Sequence, residues 1–182
     1  LAESDNTVVV EGNHYFPTAW MGDGQVTGRV SLTECWGHTP HSGQAAIRIE
    51  YSQQVVGWAG AYWVSPPENW GDRPGGYDLT GSDRLTFWAR SDTPGVQVTF
   101  LIGGVGYPVD YRGRADCSNP SQPYPDSVCP TIRQSETLSS MWTKYSIPLP
   151  QSRNLSSVVG GFGWVSENPV TFYLDDIVYE FD

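Results

Sequence analysis

Arg84-Leu85-Thr86-Phe87-Trp88-Ala89-Arg90-Ser91 and, just beyond it, Val96-Gln97-Val98-Thr99-Phe100-Leu101-Ile102 decide the fold class of this chain. In the first run Leu85, Phe87 and Ala89 fall on one side and Thr86, Trp88 and Arg90 on the other, the period of two that marks a strand. The second run sends Val96, Val98, Phe100 and Ile102 one way and Gln97, Thr99 and Leu101 the other. Two strands, each with one wholly apolar face, require a second layer to cover those faces. The opposite faces mix an indole, a guanidinium, an amide and a hydroxyl, groups better matched to a sugar than to a dry interior.

The same pattern repeats in both directions along the chain. Strands are predicted over Val8–Val10, Val26–Leu32, Ala45–Ser52, Gly57–Val64, Arg84–Ser91, Val96–Gly103, Thr143–Leu149, Val158–Val165 and Thr171–Phe181, separated by turn residues. Within Thr143–Leu149, Tyr145 and Ile147 face the core while Lys144 and Ser146 face out. Gly103-Gly104 and Gly160-Gly161 read as bulges or bends. Helix is confined to a possible turn at Ser135–Ser140 or Leu155–Val158. The expected fold is all-β: a two-sheet antiparallel β-sandwich of the jelly-roll kind, formed as one domain over residues 1–182.

Composition narrows the partners. With 38% hydrophobic and 16% charged residues the chain can bury a core, so disorder is excluded. Ten Lys and Arg stand against 20 Asp and Glu, and a net charge of −10 argues against nucleic acid and anionic membrane surfaces. No apolar run approaches the roughly 20 residues needed to span a bilayer, so membrane insertion is not expected. Leu1-Ala2-Glu3-Ser4-Asp5 shows no basic or apolar leader pattern, as in a processed chain or a cytosolic one. Cys117 and Cys129 flank a proline-rich stretch, and pairing them would close a loop within residues 107–129 and stabilise it by about 3 kcal/mol. Such a bond favours an oxidising compartment, hence a secreted or cell-surface location. Cys35 is left as a buried small hydrophobe. Asn154-Leu155-Ser156 is a glycosylation sequon.

Eight Trp residues exceed what a core of this size needs. Trp58-Ala59-Gly60-Ala61-Tyr62-Trp63-Val64-Ser65-Pro66-Pro67-Glu68-Asn69-Trp70 gathers four large aromatics. Flat rings of this kind pack on the C–H faces of sugars and lose little side-chain entropy in doing so. Alternation puts Trp58 and Tyr62 on one face and Trp63 on the other, so a core role for some of them competes with a platform role. Pro66-Pro67 stiffens the loop that carries Trp70. Trp58, Tyr62, Trp63, Trp70, Trp88 and Arg90 are therefore the candidate ligand-binding residues.

Among the carboxylates, Asp175 falls in phase with Ile177, Tyr179 and Phe181. A carboxylate among inward aromatics needs a cation or hydrogen-bond donors. Structural Ca2+ is one partner, with Asp23 and Glu11 as co-ligands; backbone N–H groups are the other. Catalytic signals are weak. Glu34, Glu68 and Asp110 show no spacing that singles out a glycosidase pair. His38-Thr39-Pro40-His41, with His14 elsewhere, lacks a third metal ligand at a usual spacing. No nucleophile elbow or phosphate-binding loop is present.

Phe172-Tyr173-Leu174-Asp175-Asp176-Ile177 resembles the last strand of jelly-roll carbohydrate-binding modules of secreted microbial proteins. Trp20-Met21-Gly22-Asp23, Gly57 through Trp63, Asn69-Trp70-Gly71, Gly76-Tyr77-Asp78-Leu79 and Leu85 through Arg90 resemble further segments of such modules, in order, from about Tyr15 to Tyr179. The resemblance implies polysaccharide binding without catalysis, and a structural calcium on the first Asp of the pair. The insertion from Tyr107 to Cys129 departs from the pattern. Two alternatives stand beside it. One is a surface or filament subunit that self-assembles by strand exchange through its N-terminal segment. The other is a small jelly-roll glycoside hydrolase or lyase.

Overall fold

A computed structural model of the chain describes residues 7–10, 14–52, 54–109 and 115–182. The apolar faces of Arg84–Ser91 and Val96–Ile102 do meet a covering layer: each other's. They belong to opposite sheets of a sandwich in which every strand pair is antiparallel.

With strands numbered in chain order, the back sheet runs β3 (Val30–Trp36), β4 (Ala46–Tyr51), β11 (Val170–Glu180), β6 (Arg84–Ser91), β9 (Thr143–Pro148). The short β1 (Thr7–Val9) pairs with the far half of β11, through Glu180, Tyr179 and Val178. The front sheet runs β2 (Phe16–Gly22), β5 (Ala59–Val64), β10 (Gly160–Ser166), β7 (Val96–Ile102), β8 (Ile132–Leu138). A 3-10 turn, Asp23–Gln25, follows β2.

Aromatic side chains from both sheets fill the space between them. Phe87 of the back sheet meets Phe100 and Phe162 of the front sheet at ring separations of 4.4 and 5.3 Å, and Trp164 meets Phe172 at 5.2 Å. These tilted and edge-on geometries are the ones aromatic pairs favour. The partitions expected for β6, β7 and β9 hold: Leu85, Phe87, Ala89, Val98, Phe100, Ile102 and Ile147 are buried, and Lys144 and Ser146 are exposed.

Four sequence expectations are corrected. β2 and β8 were not expected, and Ser135 to Leu138 is strand rather than helical turn. Both are edge strands: β2 contains Pro17, beside a register shift, and β8 alternates mostly polar residues, so neither carries a strong apolar pattern. β3 begins at Val30 because Val26 and Arg29 are used in turn hydrogen bonds after the 3-10 turn. Cys35 is exposed, not buried, since β3 is an edge strand whose register shifts between Thr33 and Trp36. Asp175 does not share a face with Ile177 and Tyr179. A register shift between Asp175 and Val178, with Asp176 at φ 49°, changes the phase and puts Asp175 opposite Trp88 on the outer side.

Cys117 and Cys129 form a disulfide. The loop it closes packs on the front sheet: Tyr124 N–H donates to Gly71 O at 2.9 Å and Ser121 N–H to Gly106 O at 2.9 Å.

Candidate functional site

The outer face of the front sheet is not a polar surface. Beneath it Ala19, Tyr62, Val64, Leu101, Val105 and Val159 form a second, smaller apolar cluster, against which Met21 and Val165 pack. β5 is therefore buried on both faces, with Ala59, Ala61 and Trp63 in the main core and Tyr62 and Val64 in the second cluster.

Above that cluster lies a cleft of about 750 Å³, whose aromatic lining is Trp58, Tyr62, Trp70 and Tyr107. The volume is in the range of small-ligand sites. Trp58 and Trp70 are exposed, at 37% and 36%. Tyr62 forms the floor between them. Its ring crosses β10 where that strand has no side chains: a Cβ on Gly163 would lie 2.8 Å from the Tyr62 ring, and one on Gly160 3.0 Å. The Tyr62 hydroxyl donates to Gly103 O at 2.9 Å, and burial pushes its pKa up. Trp70 stands edge-on to Tyr62, at 6.4 Å and 86°.

The Trp70 loop is held from within by Asn69, which is fully buried. Its amide donates to Ser65 O and Arg73 O, both at 3.1 Å, and its Oδ1 accepts the Gly71 N–H at 2.9 Å. Polar groups complete the cleft wall: Thr131, Arg133, Ser166 and Glu167. Of these, the exposed Arg133 can donate to and the exposed Glu167 accept from ring hydroxyls, while the indoles offer flat apolar faces. Glu167 is the one carboxylate among the described lining residues.

The sequence-predicted residues divide three ways. Trp58, Tyr62 and Trp70 come together in the cleft. Trp63 is corrected to the core: it is fully buried and packs edge-on to Phe162 at 5.3 Å, so neither face can meet a ligand. Trp88 and Arg90 lie on the outer face of the back sheet, with the core between them and the cleft. There His41 stacks on Trp88 at 3.7 Å, and the Arg90 guanidinium lies 4.0 Å from the Tyr173 ring and 5.4 Å from that of Trp142. Both are spent on intramolecular stacking. Sequence reasoning missed Asn69, Arg133 and the apolar floor; Arg133 would have followed from alternation had β8 been seen as a strand. Of the carboxylates weighed for catalysis, Glu34 is exposed on β3 and Glu68 exposed in the Trp70 loop, while Asp110 lies outside the described residues.

Solved structures share this architecture. The family 30 carbohydrate-binding module of the Clostridium thermocellum cellulosomal cellulase Cel9D-Cel44B superposes with a TM-score of 0.62 at 14% identity, over 97% of this chain and 98% of that one. The chain has the fold of the carbohydrate-binding modules. A family 11 module of the cellulase Lic26A-Cel5E from the same organism gives a TM-score of 0.57 at 14% identity, over 99% of this chain and 97% of that one. A family 11 module solved with a β-1,3-1,4-mixed-linked tetrasaccharide gives 0.52 at 13% identity, over 90% and 95% of the two chains. At these identities the likeness is one of fold. No protein-family model matches the sequence, and no curated protein matches it significantly.

The module resemblance implies calcium at Asp175, and the residue pattern offers Asp23 and Glu11 as co-ligands. Glu11 lies outside the described residues. The other two are far apart: Asp23 bonds Tyr51 at one end of β4, while Asp175 follows Leu174, which pairs with Ile47 at the other end. Asp23 accepts from the Tyr51 hydroxyl and backbone N–H groups, and Asp175 from backbone N–H groups. Asp175 accepts the N–H groups of His41, Ser42 and Asp176 at 2.9, 3.1 and 2.9 Å, and Asp176 accepts His41 Nδ1–H at 2.8 Å and Ser42 O–H at 2.7 Å. Among the described residues no group of three or more His, Cys, Asp or Glu is placed to hold a metal. Asp175 and Asp176 together pin the 38–44 loop through His41 and Ser42.

Two buried carboxyls give stability a defined pH profile. For Asp23, burial raises the pKa, but the Tyr51 hydroxyl and three backbone N–H groups outweigh it and hold the group at about 2, below the ordinary 3.8. Its contribution is complete above the ordinary value and is lost as pH falls through about 2. Burial pushes Asp126 up to about 7, against the N–H groups of Val159, Val105 and Gly160. That contribution is complete below the ordinary value and is lost as pH rises through about 7. The melting temperature, followed by scanning calorimetry from about pH 3 to about pH 8, is expected to peak near pH 4 and fall toward pH 8. A continuous rise to pH 8 would contradict the Asp126 assignment.

Proposed function

We propose that the front-sheet cleft binds a polysaccharide chain without cleaving it. The observation that carries this reading is the placement of Trp58 and Trp70, both partly open to solvent, around Tyr62 in a cleft with an apolar floor and a polar wall. Exposed indoles are costly in water unless they meet a ligand, and sugar rings match them with C–H faces. Arg133, exposed on β8, supplies donors for ring oxygens. The fold shared with modules from cellulosomal cellulases, and with a family 11 module solved with a mixed-linked tetrasaccharide, supports a β-glucan as the first ligand to try.

The protein acts outside the cell on this reading. A disulfide that staples the loop beside the cleft fits an oxidising compartment, and no helix among the described residues is long and apolar enough to cross a membrane. The strand-exchange alternative loses its motive at residues 7–9, since β1 already pairs with β11 of its own chain.

Native affinity electrophoresis tests the proposal. Gels containing mixed-linkage β-glucan, xyloglucan, xylan or β-1,3-glucan should retard the wild-type protein in at least one case, with no reducing ends released. Unretarded migration through all four would reject it.

A further inference from the structure

We propose that Asp23 is a positioning residue for Trp58, setting its ring at the rim of the cleft; this rests on the reading of the cleft as the ligand site. Asp23 is fully buried where β2 ends, and it bonds to every residue from Val55 to Trp58. Its carboxylate accepts the N–H groups of Val55 at 2.9 Å, Val56 at 2.7 Å and Gly57 at 3.3 Å, and its own N–H donates to Trp58 O at 2.8 Å. The Tyr51 hydroxyl, on β4 of the back sheet, donates to the same carboxylate at 2.6 Å.

The segment has little else to fix it. Val55 and Val56 are 60% and 62% exposed, so no apolar burial holds them. Gln54 adds one tether, from Nε2 to Glu167 O at 2.5 Å. Gly22, at φ 56°, completes the arrangement by close approach: a Cβ there would sit 2.5 Å from Trp58 O and 2.9 Å from the indole ring. Asp23 thus ties an otherwise exposed loop to both sheets. A platform fixed before the ligand arrives loses less entropy on binding than one that must be ordered by it.

Asp23→Asn keeps the size of the side chain but withdraws its charge and turns one acceptor into a donor facing N–H groups. It should increase acrylamide quenching of tryptophan fluorescence, and the increase should vanish in a Trp58→Ala background. Affinity for mixed-linkage β-1,3-1,4-glucan should fall about tenfold in the native background. With Trp58→Ala already present, Asp23→Asn should change it by less than about twofold, because the two residues act as one unit. Tyr51→Phe removes one of the four donors and should move the quenching the same way by a smaller step, which keeps the test open should Asp23→Asn not fold. Wild-type quenching in both variants, or an equal loss of affinity with and without Trp58, would overturn the proposal. Failure of the wild type to bind glucan would count against the cleft reading alone, because quenching decides the role of Asp23 without ligand.

Discussion

Trp58→Ala and Trp70→Ala should each weaken polysaccharide binding by about 30-fold, close to 2 kcal/mol, the loss typical of a dominant aromatic contact. The double variant should bind at least 100-fold more weakly than the wild type. The protein should remain folded in all three. Each indole is more than a third exposed, so truncation opens no cavity in the main core, and surface changes of this kind usually alter stability by under about 1 kcal/mol. Isothermal titration against the polysaccharide that retards the wild type, alongside thermal melts, separates the two effects. Unchanged affinity in the double variant would place the ligand elsewhere.

Trp63→Ala should do the reverse. The residue lies five positions after Trp58 and next to Tyr62, yet its side chain is fully buried against Phe162. Removing it leaves a large cavity between the sheets and should cost about 3–5 kcal/mol. For a chain of this length that corresponds to a fall in melting temperature of roughly 10 °C. Trp63→Phe should cost much less. The Trp63 indole N–H is buried with no hydrogen-bond partner among the described residues, and the phenyl ring removes that unsatisfied donor while keeping most of the volume. Where Trp63→Ala is still folded, its affinity for the polysaccharide should stay near wild type. A specific loss of binding without destabilisation would mean that the ring reaches the cleft after all.

The contrast between Trp58 and Trp63 shows where the sequence is readable. Alternation correctly sets Tyr62 and Trp63 on opposite faces of β5. It does not say which face is the core, because β5 is buried on both sides and reads as a continuous apolar run. The central strands β6 and β7 were legible for the opposite reason: one face of each is wholly apolar and register is therefore fixed. At the edges this signal fades, which hid β2 behind Pro17 and β8, with Arg133, behind polar alternation. Asp175 shows a different limit. Strict alternation assigned it to the interior with Ile177, but a bulge at Asp176 reversed the phase, and no residue type in Leu174-Asp175-Asp176-Ile177 announces that extra residue. Its partner chemistry was nonetheless among those anticipated, since backbone N–H groups satisfy the carboxylate.

Placement on a sheet also cannot be read from a strand alone. Trp88 and Arg90 do face outward, as alternation requires, but from the sheet opposite the cleft. Their neighbours there are aromatic and cationic side chains from five other segments of the chain: His41, Tyr173, Trp142 and, further along the row, Arg48 beside Trp36. The eight indoles therefore form three populations: in or against the core, around the cleft, and across the back sheet.

That division gives the most direct measurement. In a ¹H–¹⁵N spectrum each indole N–H contributes its own signal, assignable by single Trp→Phe replacements. On titration with an oligosaccharide of mixed-linkage β-1,3-1,4-glucan, the signals of Trp58 and Trp70 should move while those of Trp36, Trp88 and Trp142 stay in place. Movement of the back-sheet signals with the cleft pair unchanged would contradict the account.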